Sequence, residues 1–467
     1  MSQNKTQDKG LQDKLLKGNV GKLLIKLSLP CIAAQLVNAI YNIVDRMYIG
    51  HIEGIGATAL TSLGIAFPIT LIIAAFSALV GSGGAPIASI RLGEKKKDEA
   101  EELLGNSLSL LIIFGVILTI LTLIFKEKLL YMFGATENTF QYANEYLTIY
   151  SLGTIFVMIS VGLNYFINSQ GFTTMGMFTI LIGAVLNILL DPLFIYGLDM
   201  GVKGAALATI LSQGISAIWT FIFLKGETTI IKIKFKYLKL KLKTVKQILS
   251  LGSSSFTIQI TNSLVQVTAN STLLKYGGDM YIGSMTILSS LMQVFFMPII
   301  GVTQGAQPII GYNYGAKHYS RVKEAIKASI TFCFTLSAIF WLLSMFAPTL
   351  LIKVFSSDAQ LIDLALSQIR TYMFMMFMLG IQAACQNFFT AIGKANIAIF
   401  LAMLRKVILL VPLMIILPRL YDLGAYGVIL AEPIADGLAT SVTIIMFIIQ
   451  IRILNSLPEK PLEEGLI

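Results

Sequence analysis

The chain is expected to be an all-α integral membrane protein: twelve transmembrane helices in two six-helix lobes related by a pseudo-two-fold axis along the membrane normal. Three observations predict this. First, its 467 residues are 55% hydrophobic and only 13% charged, with a mean hydropathy of +0.78; a soluble domain carries about a quarter charged residues. Second, the apolar residues gather in runs long enough to cross a hydrocarbon layer of about 30 Å. Such runs satisfy their own backbone hydrogen bonds as helices. Third, the second half of the sequence repeats the first.

Reading apolar windows against loop breakers places spans 1 to 6 near residues 22–49, 58–90, 104–126, 143–169, 173–197 and 202–225. Spans 7 to 12 follow near 247–274, 280–311, 326–353, 366–392, 395–419 and 424–452. The expected organisation is therefore a cytoplasmic segment 1–20, an N-lobe 21–225, a basic cytoplasmic linker 226–246, a C-lobe 247–452 and a cytoplasmic tail 453–467. The linker (KIKFKYLKLKLKTVK) alternates Lys with Ile, Phe and Leu, and is expected to lie against anionic headgroups.

The 35 basic residues outnumber the 25 acids, which raises the question of a polyanion partner. Their distribution answers it. Lysines crowd residues 5–26, Lys95–Lys97 and Lys225–Lys246, with a further group at Lys317, Arg321, Lys323 and Lys327. The alternate loops hold few, so the excess reports positive-inside topology with both termini cytoplasmic, not nucleic-acid binding. Cys31, Cys333 and Cys385 lie inside apolar runs without paired spacing, which implies neither a disulfide nor a metal framework. No cleavable signal pattern precedes span 1.

The repeat has a definite register. Pro86 in GGAPIASIRLG pairs with Pro308 in GAQPIIGYNYG at an offset of 222 residues, and Tyr150 pairs with Tyr372 at the same offset. NYFINSQG (Asn164–Gly171) likewise matches QNFFTAIG (Gln386–Gly393), while LDMGVKGAALA matches YDLGAYGVILA at an offset of 223. Parallel repeats of this kind commonly place a binding site between or within the lobes and move by rocking, as secondary transporters do.

Carboxylates at bilayer depth are functional suspects because burying a charge there is costly. Asp45 of span 1 shares a helical face with Gln35, Asn38 and Tyr41 or Asn42. Asn187 and Asp191 of span 5 are four residues apart and stack on one face. At 1.5 Å per residue, Asp45 lies about 33 Å along span 1, Asp191 about 27 Å along span 5, and Thr209 about 10 Å into span 6. All three fall in the outer half of the membrane. Two carboxylates, an amide oxygen and a hydroxyl at one depth suit a hard cation such as Na+; the same carboxylates could instead share a proton. Structural alternatives remain at this point: Asp45 adjoins Arg46 near a helix end, and Asp191 precedes Pro192.

Glu432 and Asp436 of span 12 either take part in transport or pair with Arg405 or Lys406 of span 11; Glu432 falls opposite Thr209. Elsewhere the second half has no such acids: Val267 stands opposite Asp45, and Leu413 or Met414 opposite Asp191. Span 7 instead carries a neutral face of Gln259, Asn262, Gln266 and Asn270, which lines a substrate path or joins helices.

The six-plus-six layout, Pro30 with an acid fifteen residues on, and LNILLDPLFIYGLDMGVKGAALATILSQ in spans 5 and 6 resemble the multidrug and toxic compound extrusion (MATE) family. The likeness covers residues 20–450 and, with acids in the first lobe, is most similar to the DinF-like branch. It implies a V-shaped exporter of amphipathic organic cations and related drugs, driven by inward H+ or Na+. It also implies a bend of span 1 at Pro30, a cation site of Asp45, Asn187, Asp191 and Thr209, and a first-lobe cavity that includes Tyr41 and Asn164. Gln35, Asn38, Gln259 and Asn262 complete the expected cavity residues.

The resulting expectation is a monomeric plasma-membrane antiporter for small drug-like molecules. It contacts membrane lipid, needs no cofactor and is not an enzyme. A lipid-linked sugar flippase of the same superfamily is the alternative, but Arg405 and Lys406 are few for a central basic cavity. An intramembrane enzyme lacks support: the two histidines, His51 and His318, fall in loops, and no HExxH, GxSxG or GxxxxGK[ST] motif occurs.

Overall fold

The computed structural model describes residues 13–355, 359–420 and 422–460, without the side chains of Ala57 and Asp279. Residues 1–12 of the expected N-terminal segment and 461–467 of the tail lie outside this set. The first repeat runs as helices Val20–Gly50, Gly56–Gly93, Lys97–Met132, the pair Glu137–Leu152 and Thr154–Ser169, Thr173–Pro192 with a π turn to Gly197, and Gly201–Lys225. The second begins in a helical stretch Leu242–Gly315, split at Gly278 where φ is 72°. It continues with Tyr319–Phe346, the pair Ala359–Tyr372 and Met376–Ala391, the compound span Ala395–Arg419 and Gly424–Ser456.

Among the described residues nine helices are long and apolar enough to cross a membrane, and each of the two bent pairs adds one. Span 7, which precedes Gly278, completes the set of twelve; its polar face keeps its apolar content low.

Spans 4 and 10 are not continuous, contrary to the simple reading of apolar windows. They bend by 57° and 54°, at Gly153 and at 373–375, positions that match in the repeat. A broken helix strands backbone carbonyls, which in lipid need internal donors. Thr119 Oγ1 donates to the Ser151 carbonyl at 2.8 Å, and the indole N–H of Trp341, at the matching position, donates to the Phe374 carbonyl at 2.9 Å. Left-handed backbone recurs in the same register: Lys95 and Lys317 (φ 62° and 64°), then Asp199 and Asp422 (both 53°). The duplication is thus written into turn geometry as well as sequence.

The chain forms two compact units. One holds Ala33–Phe256 with the described residues up to Lys17; the other holds Gly18–Ile32 with the described residues from Thr257 on. Relative to the lobes 21–225 and 247–452 expected from chain order, the starts of spans 1 and 7 are exchanged. Close packing accompanies each exchange. A Cβ on Gly252 would meet the Leu79 carbonyl at 1.7 Å, and one on Gly305 would meet Ser28 at 2.5 Å. Ser28 Oγ also donates to the Val302 carbonyl at 3.4 Å. Gly252→Leu should therefore lower the thermal stability of the solubilised protein by about 3 kcal/mol or more through overpacking against backbone. Gly64→Ala, where the added methyl meets nothing within 4 Å, should leave it unchanged or slightly raised.

The basic linker is docked on protein rather than merely resting against headgroups. Gln170 Oε1 accepts from Thr229 Oγ1 and from the Ile230 and Ile231 amides, each at 2.9 Å. Further along, Asn106 donates to the Tyr237 carbonyl at 2.9 Å and accepts from the Lys241 amide at 2.8 Å. The fully buried Glu101 pairs with Lys234, and Glu102 pairs with Lys241. Ile230, Ile231 and Ile233 are buried, whereas Lys236, Lys239 and Lys243 stay exposed. The first part of the linker thus holds the buried apolar side chains, while Phe235, Leu240 and Leu242 further along are exposed.

A shorter counterpart ends the second repeat. Glu459 accepts from the Ser320 amide at 2.7 Å and from its hydroxyl at 2.5 Å, while the Lys460 amide donates to the Lys317 carbonyl at 3.2 Å. Partial burial pushes the Glu459 carboxyl up, but the two Ser320 hydrogen bonds and nearby Lys323 and His318 outweigh it and hold it below its usual 4.5. A carboxyl lowered in the folded state contributes above its unfolded value and loses that contribution as pH falls through the folded one. Glu459→Gln should therefore speed amide exchange at Ser320 and Lys460 several-fold at neutral pH. The ratio of mutant to parent rates should fall toward one well below pH 4.5.

Candidate functional site

Span 5 supplies the first elements of the site. Asn187 and Asp191, one helical turn apart, are buried, and Asn187 Nδ2 donates to Asp191 Oδ1 at 3.2 Å. Pro192 lacks the N–H that would continue the regular ladder, and the chain passes into the π turn Leu193–Gly197. Span 6 returns immediately against this turn: a Cβ on Gly204 would meet the Phe194 carbonyl carbon at 2.6 Å. The close approach brings Thr209 Oγ1 within 3.4 Å of Asn187 Nδ2, while its own hydroxyl donates to the Ala205 carbonyl at 3.0 Å.

Span 1 completes the group. Asp45 is 9% exposed and its carboxyl lies within hydrogen-bonding reach of that of Asp191, which is fully buried. Tyr196 of the π turn donates to the Tyr48 carbonyl at 2.6 Å and so ties span 5 to span 1. The four residues expected to form a cation site are thus together in one unit.

Three oxygens decide what the cluster can do. Asp45 Oδ1, Asn187 Oδ1 and Asp191 Oδ2 are buried without a hydrogen-bond partner. Buried polar atoms are normally paired, so orphaned acceptors need an explanation. Two adjacent ionised carboxylates also repel, more strongly in a buried setting than in water. A shared proton would pair the two carboxyl oxygens and remove one of the two charges, whereas a small cation could be met by all three oxygens.

Sequence reasoning missed part of the surroundings. Tyr146 and Tyr150 of span 4 are buried; Tyr146 lies within electrostatic reach of both carboxyls, as does Tyr41, and Tyr150 is linked to these two tyrosines. The two span 4 rings stack at 5.9 Å. Their four-residue spacing was visible, but only the repeat had drawn attention to Tyr150.

The expected cavity residues are less concentrated. Gln35 and Tyr41 are half-buried and Asn38 is exposed. Asn164 is buried with an unpartnered Oδ1, but it faces Gly176, about 17 Å along span 5 from Asn187 at 1.5 Å per residue. It belongs to a different level from the acid pair. In the second unit Gln259 is half-buried and Asn262 is exposed, while Gln266 donates to Asn270 at 3.1 Å. Pro30 sits inside a helix that continues unbroken from Val20 to Gly50.

Glu432 and Asp436 take the ion-pair alternative. Arg405 bridges them, with Nε on Asp436 Oδ1 at 2.5 Å and Nη2 on Glu432 Oε1 at 3.0 Å. Both acids are buried, and Arg405 belongs to the π-helical stretch Leu404–Leu410.

Comparison with known proteins agrees with this architecture. The MatE family model matches residues 30–193 and 255–416, together more than half of the chain. The multidrug export protein MepA of Staphylococcus haemolyticus (strain JCSC1435) is 26% identical over 425 residues, covering 91% of this chain and 93% of that protein. MepA of Staphylococcus aureus (strain NCTC 8325) is 26% identical over 443 residues, covering 94% and 96%. A structure described as the outward-facing conformation of a multidrug resistance MATE family transporter superposes with a TM-score of 0.88 at 25% identity, covering 95% of this chain and 98% of that one. A MATE structure in the bent conformation gives 0.89 at 25% identity, with the same coverage. With two repeats of membrane-spanning helices, a family match in each repeat and relatives that export drugs, the chain belongs to the MATE family and is a multi-pass multidrug efflux transporter.

Proposed function

We propose that the transporter is a cation-coupled antiporter, with inward H+ or Na+ bound at Asp45, Asn187, Asp191 and Thr209 driving export of amphipathic organic cations and related drugs. One observation carries the reading: two neighbouring carboxyl groups and an amide leave three buried oxygens without donors. A bound proton gives the carboxyl pair the donor it lacks, and Na+ could be met by all three oxygens. Lysines concentrated in alternate loops favour a plasma-membrane protein with both termini cytoplasmic. The acids of spans 1 and 5 suit the DinF-like branch. The chain acts as a monomeric carrier of drug-like molecules in contact with lipid, without a cofactor, nucleic acid or enzymatic step.

Coupling requires that the ion prefer one conformation, because binding shifts a balance only through a difference in affinity. A cation joining span 1 to spans 5 and 6 provides that difference if span 1 bends at Pro30, where the helix lacks one backbone donor. Bending changes the distances among the ion's ligands. Substrate and ion then compete, directly or through the bend.

In liposomes with an imposed Na+ or pH gradient, a fluorescent cationic dye should move in response to one of the two. Asp45→Asn and Asp191→Asn should each abolish that movement while leaving expression and folding intact; wild-type transport in both would remove coupling from this cluster. Pro30→Ala should keep ion affinity near normal yet slow export. Export at the parental rate, or a span 1 of unchanged shape with and without the ion, would remove the bend from the mechanism.

A further inference from the structure

The geometry points to a latent cation site in the second unit, formed by Glu432 and Asp436 and closed by the Arg405 guanidinium. Arg405 is a tethered counterpart of the ion that the first unit takes from solution. This rests on the reading of the Asp45–Asp191 cluster as the coupling site and extends it to the count of ions per chain.

Two landmarks place the clusters at corresponding positions in their own repeats. Glu432 matches Thr209 at an offset of 223 residues, and Tyr372 matches Tyr150 at 222. Tyr150 is electrostatically linked to Tyr41 and Tyr146 at the first cluster, and Tyr372 to Glu432, Asp436 and Arg405 at the second. In the first unit the acids come from spans 1 and 5. In the second, the matching positions hold Val267, Leu413 and Met414, and both acids come from span 12. Span 11 supplies the positive charge.

The state of the oxygens separates the two clusters. Asp45, Asn187 and Asp191 each leave a buried acceptor unpartnered, whereas no oxygen of Glu432 or Asp436 is among the unpartnered buried atoms of the described residues. One guanidinium reaches two carboxylates a helical turn apart, using its fork of donors. The π-helical stretch at Leu404–Leu410 carries Arg405, and such irregular turns occur often at functional sites. Among the described residues, the charged and titratable groups facing the pair are Arg405 and Lys406 from span 11 and Tyr372 from span 10. Two acids and two bases leave no net charge for an incoming ion to neutralise. The second unit therefore binds no coupling ion while Arg405 is in place, and loses that block when the guanidinium is removed.

The test uses the full-length purified protein carrying Asp45→Asn and Asp191→Asn, so that only the second cluster can answer. Proton uptake between neutral and mildly acid pH, and binding of radioactive Na+, are compared with the same protein carrying Glu432→Gln and Asp436→Asn. With Arg405 present the two should bind equally. With Arg405→Met, the protein retaining both acids should bind one additional H+ or Na+. No additional ion after removal of Arg405, or an acid-dependent ion with Arg405 intact, would overturn the proposal.

Arg405→Ala prepared in millimolar guanidinium covers the case in which Arg405→Met does not fold. Guanidinium should raise its melting temperature and suppress Na+ or H+ uptake, and indifference to guanidinium counts against the site. Failure of the first-unit reading shows separately, as gradient-driven dye export that survives Asp45→Asn with Asp191→Asn.

Discussion

In a hydrocarbon layer the backbone has no solvent to fall back on. Each unpaired amide or carbonyl costs several kcal/mol there, which confines spanning structure to continuous helices and makes every interruption answerable to a named donor. The interruptions in this protein obey that constraint. Where span 4 breaks at Gly153, Thr119 covers the exposed carbonyl; where span 10 breaks at the matching place, Trp341 does. The chemistry of the donor has changed from hydroxyl to indole, but the need for one has persisted through the divergence of the repeats. Proline and π turns gather in spans 5 and 11, beside the two charged clusters. Irregular backbone and buried charge thus occupy the same places, because both depend on an interior that can satisfy them.

The duplication explains the skeleton, and its asymmetry explains the chemistry. Turn residues, helix breaks and tight glycine contacts recur at a nearly constant offset, including Gly204 against Phe194 and Gly427 against Pro418. The buried acids do not recur: Val267 stands opposite Asp45, and Thr209 opposite Glu432. One unit holds acids with unfilled oxygens; the other holds acids already matched by arginine. A bundle duplicated in this way can change the buried charges of one half without altering the packing common to both.

Much of this was legible from residue order. Apolar runs located the spans because lipid demands length and hydropathy together, and the four-residue spacing of Asn187 and Asp191 placed their side chains on one face. Asp45 could be brought to the same level by counting helical rise. Other features were hidden for physical reasons. The bends in spans 4 and 10 leave hydropathy unchanged, so apolar windows pass straight over them. Tyr146 looks like any membrane aromatic until the fold turns it toward the acids. The linker's lysines looked like lipid anchors, whereas the decisive groups were Gln170, Glu101 and Asn106, distant in sequence and unremarked. The choice between ion pair and transport chemistry for Glu432 and Asp436 needed the distance to Arg405.

The exchange of helix starts has a consequence for biosynthesis. Residues 18–32 emerge from the ribosome early, yet the surface they pack on includes Gly301, Val302 and Gly305. The contact between Ser28 and Val302 closes a loop of 274 residues. Likewise, the earlier unit is incomplete until residues 242–256 have been added. Neither unit can finish folding from its own half of the message. During synthesis the first six spans must wait in the bilayer for residues 242–256, and a chain cut at the linker would strand one helix start on each side of the cut.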